Sequence, residues 1–122
     1  MYFKKEVEEL MEAVGGLDRI LNRYFKAIQR VQNDLEETEF REEVSVDLNE
    51  HNFQLSWATH KGEWKILYKD STSKDAYPLL NAECDVQAKA ARHVRLLIKE
   101  MAKRVREKSE RLNALGTEDE LL

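Results

Sequence analysis

FKKEVEELMEAVGGLDRILNRYFKAIQRVQNDL, residues 3–35, decides the fold. Its apolar residues Phe3, Val7, Leu10, Val14, Leu17, Leu21, Tyr24, Ile28, Val31 and Leu35 recur at alternating intervals of four and three. Charged and amide side chains fill most positions between them. A repeat of about 3.5 residues held this long predicts a helix with one apolar seam. A straight helix drifts about 20° per heptad against such a repeat, so the seam predicts a left-handed supercoil with a partner helix. Leu10, Val14, Leu17, Leu21, Tyr24 and Ile28 are the candidate seam residues, within the chain or between two copies. Gly15-Gly16 interrupts the stretch, and each glycine costs about 1 kcal/mol against Ala in a helix. The seam keeps its phase across the pair, which predicts one weakened or kinked helix rather than two.

Downstream the period changes from helical to alternating. Val44, Val46 and Leu48 alternate with polar residues, as do Phe53, Leu55 and Trp57, and then Trp64, Ile66 and Tyr68. Three such runs predict three strands with one apolar face each. Asn49-Glu50-His51-Asn52 and His60-Lys61-Gly62-Glu63 supply short turns, so the strands form an antiparallel meander. Residues 70–81 read as a polar loop with Asn81 as a candidate N-cap. A last helix is expected up to Leu115, with Gly116 as its stop. Its apolar stripe is Val86, Ala90, Val94, Leu97, Ile98, Met101, Val105 and Leu112.

The expected fold class is therefore α+β: a long N-terminal helix, a three-stranded antiparallel meander and a long C-terminal helix, in the order α-β-β-β-α. The chain has 122 residues, which fits a single domain over 1–116 with an acidic tail over 117–122. The helices outreach the strands, because a strand of six or seven residues spans only about 20–24 Å. Seam not covered by the sheet must pack on another helix, which makes a homodimer a natural expectation.

Composition narrows the chemistry. No apolar run is long enough to span a bilayer, and the start turns acidic without an apolar leader core, so neither membrane insertion nor export is expected. Cys84 stands alone and cannot form an intrachain disulfide, which suits a reducing, cytoplasmic compartment. His51, His60 and His93 show no ligand spacing with each other or with Cys84, so no metal site is expected. No phosphate loop, calcium loop or nucleophile–base pair stands out, and no catalytic residue, cofactor or small-molecule substrate is assigned.

The net charge of −4 hides a lopsided distribution. Residues 1–50 carry 13 acids and 7 bases, whereas residues 86–111 carry 9 bases and 3 acids. At about 100° per residue, Arg92, Arg95, Lys99, Lys103 and Arg106 fall in one arc beside the apolar stripe. The row is the candidate binding surface, for an acidic protein face or for phosphates. The expected function is a non-enzymatic accessory protein, dimeric, that binds a larger protein through charged helical faces. The alternative is a nucleic-acid-binding accessory factor using the basic helix. In general outline, though through no particular residue set, the chain resembles the small accessory proteins encoded by phages and mobile elements. That resemblance implies an inhibitor or adaptor acting on a larger machine.

Overall fold

A computed structural model describes residues 3–119, with side chains described through Gly116. Helix α1 runs unbroken over Lys4–Glu37, straight through Gly15-Gly16. Three strands follow, β1 (Val44–Leu48), β2 (Phe53–His60) and β3 (Glu63–Asp70). A short fourth, β4 (Tyr77–Pro78), pairs with Leu67 and Tyr68 of β3. The sheet is antiparallel, in the order β1-β2-β3-β4. The meander thus has four strands where the sequence pattern predicts three. Two residues are too few to show an alternation, and Pro78 is tolerated only because it sits on an edge.

The β2–β3 hairpin closes on Lys61-Gly62, both with positive φ, as a two-residue turn matched to strand twist requires. Asn52 takes a left-handed conformation after the 3₁₀ turn Asn49–His51 that links β1 to β2. One face of the sheet builds the core. Val44, Phe53, Leu55, Trp57, Ile66 and Tyr68 are buried there, with Val46, Leu48 and Trp64 packed around them. The three alternating runs therefore present the face expected of them. Trp57 Nε1 donates to the Phe40 carbonyl at 3.0 Å, so the indole is both buried and satisfied.

The long C-terminal helix is two helices. Asn81 ends a 3₁₀ turn rather than capping a helix. Helix α2 (Cys84–Ala91) starts from Glu83, and α3 (Val94–Asp119) follows a break at Arg92-His93. No glycine or proline marks this break. It is set by tertiary packing: the His93 ring lies 5.7 Å from Phe53 and 4.6 Å from His51, centroid to centroid. Nor does Gly116 stop α3, which continues to Asp119 because an interior glycine weakens a helix without ending it. Residues 120–122 of the expected tail lie outside the described residues. Gln87 ties α2 down by donating to the carbonyls of Leu79 and Leu80.

The helices cover the sheet only in part. Ala27, Ile28 and Val31 of α1 face Ala91 and Val94, while Leu35 and Thr38 face Ile98, Met101 and Val105. Helices α1 and α3 thus run in the same direction, and their free ends leave the body from opposite ends. Of the stripe expected on one last helix, Val86 and Ala90 fall on α2, half-buried and buried, and Val94, Leu97 and Met101 are buried on α3, but Ile98, Val105 and Leu112 are exposed. No described helix is long and apolar enough to cross a membrane.

Candidate interaction surfaces

The seam of α1 divides sharply along its length. Ile28 is 2% exposed, and Leu21 and Tyr24 are half-buried against the body. Leu10, Val14 and Leu17 are exposed, Leu10 by 62%. Phe3, Val7, Met11 and Ile20 are exposed beside them. Residues 3–20 thus form an overhang of 18 residues, roughly 27 Å at 1.5 Å per residue. Its apolar face has no cover among the described residues.

The basic row spans two elements. Arg92 sits in the α2–α3 break, while Arg95, Lys99, Lys103 and Arg106 stand exposed on α3. Lys103 pairs loosely with Glu107 at 4.0 Å, and Arg104 with Glu100 at 3.5 Å. Arg92, Arg95, Lys99 and Arg106 make no ion pair among the described residues. Lys99, Lys103 and Arg106 converge on an open groove of about 630 Å³ between α3 and β1. Val46, Asp47, Leu48, Leu96 and Glu100 complete its walls. Arg92 and Arg95 do not line it, so the structure brings three of the five row residues together at one place.

Strand β1 is a free edge of the sheet. A two-residue hairpin closes on a hydrogen-bonded pair, here His60 and Glu63. Alternation then makes Trp57 and Ile66 a non-bonded pair across β2–β3, and turns Trp57 toward Val44. One step along β1, the N–H and C=O groups of Ser45 and Asp47 face outward. The groove therefore combines outward-facing main chain, an apolar floor and three cations.

A second cluster is invisible in the sequence, because its histidines are 42 positions apart. The His51 and His93 rings, 4.6 Å apart between centroids, together line a cleft of about 380 Å³, with Asp47 and Glu50 on its rim. Lys89 Nζ donates to the His51 carbonyl at 2.8 Å and lies 4.9 Å from the Phe53 ring centroid. Burial holds the His93 imidazolium below its ordinary range, and the neighbouring His51, Arg92 and Lys89 push in the same direction. Among the described residues no three His, Cys, Asp or Glu side chains form a metal-binding group. His60 ends β2, well away from this pair in the sheet.

Other ionisable groups report local packing. Burial raises the Tyr68 hydroxyl, helped by Asp70 and Tyr77. Hydrogen bonds from the Thr72 main chain and hydroxyl lower the Asp70 carboxyl. Cys84 is exposed at the start of α2. Comparison with known protein families, curated proteins and solved structures finds no match.

Proposed function

We propose that this protein acts by binding, as a dimeric accessory protein whose α3–β1 groove holds an acidic, extended segment of a larger protein partner. The groove is the observation that carries this reading. An extended segment adding to β1 would pair with the outward N–H and C=O groups of Ser45 and Asp47. Its acidic side chains would meet Lys99, Lys103 and Arg106, and its apolar ones Val46, Leu48 and Leu96. Charge would set the orientation and speed of encounter, and main-chain pairing the register.

The outward main chain of β1 favours a protein over a nucleic acid, since an extended peptide can pair with a strand edge and a phosphate backbone cannot. The exposed single thiol of Cys84 suits the reducing cytoplasm as the working compartment.

Titration with two probes tests the reading: a peptide alternating Glu with Val or Leu, and a 20-base-pair duplex, each across a salt series. The peptide should bind, and Lys99→Glu with Lys103→Glu should abolish binding. Duplex binding with a steep salt dependence and no peptide binding would instead make the chain a nucleic-acid-binding factor. Failure of both probes would remove the groove as a binding site.

A further inference from the structure

We infer that the exposed half of α1 is covered by the same half of a second copy running antiparallel, with Leu10 of each copy against Val14 of the other. This rests on the dimeric part of the proposal above and assigns its geometry.

The seam of α1 keeps one phase from Phe3 to Leu35. From Ile28 to Leu35 the seam is buried on the chain's own α2, α3 and sheet. The overhang carries the same seam onward into solvent, so whatever covers it must begin where the body stops. A parallel partner, matched residue for residue, would place its residues 21–35 in space the first copy's body already fills. An antiparallel partner meets no such obstacle. Its residues 20 to 3 run beside residues 3 to 20, and its body lies beyond the first copy's Phe3.

The heptad selects the register. Antiparallel seams pair the two seam positions with each other, so Leu10 meets Val14, Val7 meets Leu17, and Phe3 meets Leu21 at the margin of the body. The flanking positions then fall into place around the two-fold axis. Met11 meets Met11 on one flank, and Ala13 meets Ala13 on the other. Lys4 lies opposite Asp18 and Glu6 opposite Ile20, each twice by symmetry, so the antiparallel register makes two charge pairs across the seam. A parallel pair makes none, since its flanking positions would set Glu6 beside Met11 and Ala13 beside Asp18. Gly15 and Gly16 lie on the side of the helix away from the seam. The seven exposed apolar side chains from Phe3 to Ile20 amount to on the order of 600 Å² per copy, so the pair hides about 1,200 Å², the lower end of specific interfaces.

The arrangement is read from distances between spin labels. Cys84→Ser removes the exposed native thiol, and single cysteines are then placed at Glu12→Cys or Lys26→Cys on the outer face of α1. The antiparallel register puts the two Glu12 positions level with each other and separates the two Lys26 positions by about 42 Å along the axis. A short distance at 12 with a distance of on the order of 40 Å or more at 26 is the expected result. Equal short distances at both sites would overturn the antiparallel geometry while leaving the dimer standing. A monomer mass at tens of micromolar, with no inter-label distance, would overturn both.

A charge swap gives an independent check. Lys4→Glu should weaken the dimer several-fold, and adding Asp18→Lys should restore it. Loss of affinity without restoration would refute the register. Leu10→Asp should yield a monomer with unchanged tryptophan fluorescence, because Leu10 lies outside the body's core.

Discussion

Gln32 Oε1, on the buried face of α1, accepts the main-chain N–H of Ile66 at 3.1 Å. The alternation that starts at His60 and Glu63 turns this N–H away from β2, and β4 is too short to reach it. A helix side chain therefore completes the hydrogen bonding of the sheet edge. Replacing it by Gln32→Leu, which is similar in volume, strands a buried donor. The variant should lose about 1–3 kcal/mol of stability, measured by urea unfolding.

The two halves of α1 should respond differently to the same truncation. Ile28→Ala opens a cavity among fully packed side chains and should cost about 2–5 kcal/mol. Leu10→Ala removes a side chain that touches little within its own chain. Measured by unfolding below the dimer dissociation constant, it should shift stability by less than about 0.5 kcal/mol.

Helix α1 passes through Gly15-Gly16 with room for a side chain at both. An added Cβ at Gly15 meets nothing within 4 Å, and at Gly16 only the Arg19 guanidinium at 3.8 Å. Neither glycine has a positive φ. Gly15→Ala with Gly16→Ala should therefore raise helicity by circular dichroism and stabilise the overhang by up to about 2 kcal/mol. A fall in helicity would show that the glycines serve a bend.

Stability should fall on mild acidification through His93. Burial disfavours its cation, so the unfolded chain binds the proton more readily than the folded one. The contribution is complete above the ordinary value of 6.5 and is lost as pH drops through the lower folded value. His51, Lys89 and Arg92 add repulsion, while Asp47 and Glu50 across the cleft are the opposing charges. Urea midpoints at pH 7.5, 6.5 and 5.5 should decline, and His93→Gln should flatten that decline. Parallel curves for the two proteins would remove His93 as the titrating group.

The amphipathic period of α1 and the apolar faces of three strands were legible because each is local. The same local pattern covers Leu10 and Ile28, so it could not say that one faces water and the other the core. The positions of α2, α3 and the sheet decide that. The break at Arg92-His93 has no local signal either, since it depends on the His51 and Phe53 rings, which come from a different part of the chain. β4 is too short to read, and Gly116 carries a stop signal that the helix overrides. Arg95, Lys99, Lys103 and Arg106 were legible as an arc of one helix, whereas Arg92 falls in the α2–α3 break. The arc's convergence with the free edge of β1 was not, because sequence periodicity does not reveal which strand lies beside which helix.

The overhang of α1 leaves the body at one end only. Two copies joined there as proposed would form a rod whose α1 pair alone measures on the order of 75 Å. The cationic grooves would lie in separate bodies toward its two extremes. Such a rod would be a two-handed tether with a set span. Targets presenting twin acidic tails at that spacing would gain avidity that a lone tail never obtains.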